Sequence, residues 1–145
     1  MPEKETLERA EEDKEEGKAP STQAGEFVRE EIEHVREGKH GARSTKQAIA
    51  IGLSKARRAG VDLPPPKKGS KRTRKQAARD VQKGKKKGTK KSAKRSRATS
   101  RALKREGSSA ASQRALSRHA RKAAKKRSPA SRSRSAKKAA KTRKK

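Results

Sequence analysis

The side chains able to do chemistry in this chain are overwhelmingly cations. They fall in clusters: Lys67, Lys68, Lys71, Arg72, Arg74 and Lys75; then Lys85, Lys86, Lys87, Lys90, Lys91, Lys94, Arg95 and Arg97; then Arg101, Lys104 and Arg105; then Arg118, Arg121, Lys122, Lys125, Lys126 and Arg127. Residues 64–145 carry 34 basic and 2 acidic side chains, so these clusters have almost no internal counterions. Ammonium and guanidinium groups at that density match a phosphate polymer, whose condensed small ions they displace on binding. A nucleic-acid partner held by phosphate neutralisation is therefore expected, with Lys55, Arg57 and Arg58 adding contacts from the middle of the chain.

The same composition says how the partner is read. Phe27 is the sole aromatic residue, which removes the stacking platforms that single-strand and RNA modules use. Reading base edges needs a rigid element that presents side chains to a groove, and the cations lie on a low-complexity segment rich in Lys, Arg, Ala and Ser. Duplex DNA bound without base preference is the expected partner. The alternatives are an RNA- or ribosome-associated factor, and a protein-interaction module localised by its basic tail.

Other chemistry is scarce. His34 and His40, with Glu30, Glu33 and Glu37, are spaced so that a helix end could gather them as metal ligands. There is no cysteine to support them, and the spacing matches no zinc pattern, so no metal site is assigned. No Ser-His-Asp set, glycine-rich phosphate loop or paired carboxylates stand out, which argues against an enzyme, a cofactor or a small-molecule substrate.

The elements that must carry these groups divide by charge. Residues 1–40 hold 13 acidic and 7 basic side chains, and residues 41–145 hold 3 acidic and 39 basic, for a net charge of +30 over 145 residues. Val, Ile, Leu and Phe number only 13, too few for an ordinary core, and this places the chain in the disordered class. The expected fold is mostly disordered with α elements: an acidic disordered arm over 1–20, a helical hairpin over 21–63 and a basic tail over 64–145.

The hairpin has the clearest punctuation. Its first helix, 21–38, has Ser21 or Thr22 as cap and Gly38 as stop. Its second begins with the capping box Ser44-Thr45-Lys46-Gln47 and ends at Gly60, with Pro64 preventing continuation. Ala48, Gly52 and Ala56 recur every four residues on the second helix, and Gly52 implies a close backbone neighbour, the first helix being the candidate. Ile51 lies off that stripe, and with the acidic face of the first helix it offers a surface for a homodimer or a protein partner. Tail segments 73–83, 92–106 and 109–127 can form helices, but repulsion between like charges should keep them unfolded until phosphate neutralises them. No segment has the apolar length of a leader peptide or a membrane span, so a cytoplasmic, nucleoid-associated location is expected.

The stretch "GEFVREEIEHVREGKHGARSTKQAIAIGLSKARRAGVDLPPPKKG" resembles a family of small basic bacterial proteins built on a KHG block followed by SxKQAIAIGLSxARxAG. The matching positions are Lys39, His40, Gly41, Ser44, Lys46, Gln47, Ala48, Ile49, Ala50, Ile51, Leu53, Ser54, Ala56, Arg57, Ala59 and Gly60. The resemblance covers residues 23–66. It implies a bacterial origin and no catalysis, and members are sometimes labelled DNA-binding or plasmid-stabilisation proteins. The tail is similar in composition to the basic arms of linker histones and bacterial histone-like proteins.

Overall fold

The computed structural model describes residues 1–86 and 90–144. It contains seven α-helices: α1 (Lys4–Glu15), α2 (Pro20–Arg36), α3 (Thr45–Arg58), α4 (Lys71–Lys85), α5 (Ala93–Lys104), α6 (Gln113–Lys125) and α7 (Pro129–Arg143), with a 3-10 turn at Ser109–Ala111 before α6. There is no strand among the described residues.

This overturns the expectation of a mostly disordered chain: both the acidic arm and the basic tail are largely helical. Local capping is one cause. Ser70, Ser92, Ser112 and Ser128 each accept a hydrogen bond from the backbone amide three residues on, at 3.1, 3.4, 3.2 and 3.2 Å, and so start α4, α5, α6 and α7. Such a cap contributes about 1 kcal/mol, enough to offset two or three like-charge i,i+4 pairs at about 0.2–0.5 kcal/mol each, the number α6 carries in Arg114–Arg118, Arg118–Lys122 and Arg121–Lys125. Alanine, lysine and arginine are also strong helix formers, and basic residues in the last turn of each of these helices complement its C-terminal dipole.

The centre of the fold is the α2–α3 hairpin. Pro20 opens α2 at the first helical position, one residue before the expected cap, where its missing N–H costs nothing. At the other end Gly38 takes φ +74°, its amide bonding Val35 O and the Lys39 amide bonding His34 O at 3.0 Å. Ser44 caps α3 by accepting from Gln47 N at 3.2 Å, and the Gln47 side chain returns to Arg43 N at 2.7 Å, one residue before the cap. Gly60, at φ +101°, ends α3 with the same double bond pattern, through Val61 N to Ala56 O at 3.1 Å.

Two small clusters make the core. Ala24, Phe27 and Ala56 join α2 to α3, with Ala10 arriving from α1 and Leu53, Val61 and Leu63 packed around them. Ile32, Val35, Ala42 and Ala48 form the second, completed by Ala110 and Ala111 of the 3-10 turn and by Leu116 of α6. Counting large apolar residues missed this solution, in which alanines let helices approach closely and distant parts of the basic tail supply core atoms. Ile51 stays half-buried outside both clusters.

Polar contacts fix the additions. Thr45 Oγ1 donates to Ala110 O at 2.7 Å and Arg36 Nε to Ala111 O at 2.9 Å. The Gly41 amide bonds Leu103 O at 2.9 Å and the Ala42 amide bonds Gly107 O at 3.0 Å, so the end of α5 is tied to the α2–α3 connection. A Cβ on Gly41 would overlap the Glu106 carbonyl. Asp80 of α4 is buried and bridges to α3, accepting from Ser54 Oγ and Arg58 Nε, both at 2.7 Å. Of the two acids in residues 64–145, one thus serves as the peg that docks α4.

The hairpin seam yields a direct prediction. A Cβ at Gly52 would lie 2.7 Å from Val28 Cα and 3.0 Å from Phe27 O, so α2 meets α3 backbone to backbone, as the glycine implied. Gly52→Ala gains about 0.5–1 kcal/mol of helix propensity and costs about 1–3 kcal/mol of overpacking. The net expected outcome is a destabilisation of about 1–2 kcal/mol, read as a lower unfolding midpoint in urea; a stabilised variant would show that the helices can part without cost.

Candidate nucleic-acid interface

The structure separates the predicted cations into two groups. Lys67 and Lys68 precede α4, whose first turns carry Lys71, Arg72, Arg74 and Lys75; Lys85 and Lys86 close it. All are exposed, while Ala77 and Asp80 on the other side of α4 are buried against α3. Lys90 and Lys91 precede α5, and Lys94, Arg95, Arg97, Arg101, Lys104 and its C-cap Arg105 line that helix, again all exposed. Arg118, Arg121, Lys122 and Lys125 of α6, with Lys126 and Arg127 after it, are likewise exposed. Lys87 lies outside the described residues.

None of these side chains forms a salt bridge among the described residues. The ion pairs there are confined to α1, α2 and α3, their connections and Asp80. Arg127 is engaged, by the neutral Ser131, through its hydroxyl and its carbonyl.

Lys55, Arg57 and Arg58 are placed differently, because each turns toward a partner within the protein. Lys55 Nζ stands 2.6 Å from Glu31 Oε2 and 3.3 Å from Glu30 Oε1. Arg57 is buried, donating from Nε to Leu63 O at 3.2 Å and from Nη2 to Pro64 O at 3.3 Å, and burial pushes its pKa down. Arg58 is bound to Asp80. These three hold the proline-rich connection, α4 and the acids of α2 in place.

The acidic arm is also occupied. Arg9 of α1 reaches Glu26 of α2 at 3.0 Å, and the Glu3 amide donates to Glu30 Oε2 at 3.1 Å. Glu3 itself accepts from His34 and Lys39, and those hydrogen bonds pull its pKa down to about 2. Burial by itself raises the Glu30 pKa, but hydrogen bonds from the Thr6 hydroxyl and the Glu3 amide, with Lys55 beside them, hold the carboxyl below its ordinary range. Glu5, Glu8, Glu11 and Asp13 of α1 pair with nearby Lys or Arg side chains, and no carboxylate of α1 meets a cation of α4, α5 or α6 among the described residues.

On α6 the cations form a stripe. Arg114, Arg118, Arg121, Lys122 and Lys125 follow helical spacing along one side, while Leu116 packs toward the hairpin. Arg114, Arg118 and Lys122 line one wall of an open groove of about 460 Å³ whose other wall is the start of α3 at Ser44, Thr45 and Lys46. α7 adds Arg132, Arg134, Lys137, Lys138, Lys141 and Arg143, all exposed; reading the sequence passed over this helix, although Ser128 followed by Pro129 is a start signal. As a whole the chain offers helices whose positive charges have no carboxylate partner among the described residues, beside a hairpin whose charges are largely paired.

The histidines also come together. His34 and His40 are joined by Glu31 rather than by the Glu33 and Glu37 that spacing suggested; Glu33 pairs with Arg29 and Glu37 with Lys39. Glu30 lies 4.0 Å from His34 Nδ1.

Residues 21–68 match the model of a family of unknown function (DUF6496). The match takes in α2, α3 and the connection that leads to α4, and leaves α1 and nearly all of the exposed cationic helices outside it. No curated protein and no solved structure matches the chain. No helix among the described residues is long and apolar enough to cross a membrane.

Proposed function

We propose that this chain is a DNA-binding protein of the nucleoid or of plasmids, acting in the cytoplasm through phosphate neutralisation and without base preference. The observation that carries this reading is the contrast in pairing. Inside the hairpin every cation discussed above meets a carboxylate or a carbonyl, whereas the cations of α4, α5 and α6 face solvent with no carboxylate partner among the described residues. Uncompensated charge on this scale is costly to keep unless a polyanion receives it. Helical presentation refines the mechanism: the cations are spaced on rods, so contacts to a duplex need less ordering of the chain than a flexible arm would.

Docking of a protein partner on the hairpin receives less support. The apolar faces of α2 and α3 are covered by α1, by the 3-10 turn and by α6 of the same chain; on the acidic face Glu30 is buried, and Glu26, Glu33 and Glu37 pair with Arg9, Arg29 and Lys39.

Competition at matched salt tests the proposal. A random-sequence duplex should bind more tightly than a single strand of equal length and structured RNA. Scrambling the duplex should change affinity by less than the about 1 kcal/mol that one misread base pair costs a specific reader. A preference for RNA, or for one duplex sequence, would redirect the proposal.

A further inference from the structure

We propose that Glu31, His34 and His40 form a binding site for a divalent transition-metal ion of the zinc type at the corner between α2 and α3. The inference stands on the hairpin alone and is independent of nucleic-acid binding. The three residues bring one ligand atom each to within 4.8 Å of one another. Glu31 and His34 are spaced i,i+3 on α2, the Glu-x-x-His arrangement by which a helix offers a carboxylate and an imidazole from one face. His40 comes from the connection after α2, where the left-handed Gly38 turns the chain back toward the helix.

The second observation is Glu31 itself. Its side chain is fully buried, with one carboxylate oxygen turned toward His40 and the other toward Lys55. Lys55 Nζ at 2.6 Å and His40 Nε2 at 2.9 Å are its partners, so a single residue of α3 and a candidate ligand share this carboxylate. Burying a carboxylate costs desolvation even when it is paired, and here it lies beside two imidazoles.

Hydrogen bonding on the far side of each ring prepares the site. His40 Nδ1 is 3.0 Å from Gly41 O, which can only accept, so Nδ1 carries a proton and Nε2 is the ring nitrogen turned toward Glu31. His34 Nε2 lies 2.9 Å from Glu3 Oε1, which leaves Nδ1 as its donor atom. A carbonyl on one histidine and a carboxylate on the other are the outer partners that orient metal-bound imidazoles. The rings stand nearly perpendicular, at 82° with centroids 6.1 Å apart.

Two imidazoles and one carboxylate form a borderline nitrogen and oxygen set that suits zinc, with a fourth position left to water or to Glu30. Glu30 also keeps a carboxylate beside Lys55, so that ammonium retains a partner when the ion takes Glu31. Such an ion would clamp α2 to the connection whose Gly41 amide holds the end of α5.

The test is titration of the chelator-treated full-length protein with Zn²⁺, followed by calorimetry and by the ring-nitrogen NMR signals of its three histidines. The expected result is one ion per chain, a raised unfolding temperature, and displaced signals from His34 and His40 with His119 unmoved. His40→Gln and Glu31→Gln should weaken binding by more than the about 10- to 100-fold that loss of an outer partner costs, and His119→Gln should leave it unchanged. If a variant fails to fold, the signals of the unmodified protein still decide. Absence of stoichiometric uptake, uptake that moves His119 instead, or affinity that survives both variants would overturn the site.

Discussion

Replacing Arg118, Arg121, Lys122 and Lys125 together by glutamine lowers the affinity for duplex DNA by roughly 10³- to 10⁴-fold at about 0.1 M salt, if each meets one phosphate. The size follows from ion release: four contacts contribute about 3.6 to the slope of log K against log salt, and the same product sets the loss at fixed salt. All four side chains are exposed on one stripe of α6 and have no acidic partner among the described residues, so their removal disturbs no ion pair seen there. Glutamine is close to lysine and arginine in helix propensity, and Leu116, which packs α6 on the hairpin, is untouched. Unfolding temperature should therefore stay near that of the parent while binding collapses. Filter binding and thermal unfolding on the same preparations check both halves, and a variant that binds as before would remove α6 from the interface.

Phe27→Ala has the opposite signature, with a large loss of stability. Phe27 is buried where α1, α2, α3 and the chain after α3 converge, touching a cluster otherwise made of alanines and single aliphatics. Truncating it leaves a cavity that small neighbours cannot fill, for which about 3–5 kcal/mol is the usual cost. For a chain of this length that corresponds to a fall of roughly 10 to 20 °C in unfolding temperature. Phe27→Leu, which keeps most of the volume, should cost less than about 1.5 kcal/mol. Urea unfolding of the three proteins checks the series. Equal loss in both variants would mean that the aromatic ring, rather than the filled volume, matters at this junction.

Parts of this structure were legible in the sequence because their signals are local. Ser44 with Gln47, Gly38, Gly60 and Gly52 each announce a cap, a stop or a close approach, and the hairpin they frame is present. The helical state of the tail has local signals too, in serines 70, 92, 112 and 128, but mean charge and the small count of large apolar residues point the other way. What no local pattern could reveal is who meets whom. Asp80 reads as an isolated acid in a basic run until α4 lies on α3, and Ala110 and Ala111 read as tail filler until Thr45 and Arg36 bind their carbonyls. Lys55, Arg57 and Arg58 could be distinguished from the other cations only once their partners, 6 to 25 residues away in the chain, had come into place. The companion of His34 and His40 was missed for a related reason: helical spacing offered several glutamates, and burial singles out Glu31.

The most direct measurement is the affinity of the full-length protein for a duplex over a series of NaCl concentrations. With about 6–10 phosphates neutralised by the exposed helices, log K should fall linearly with log salt at a slope of about −5 to −9, a loss of roughly 10³- to 10⁵-fold between 50 and 200 mM. Affinity that hardly changes across that range, or no detectable complex at the lowest salt, would contradict the account.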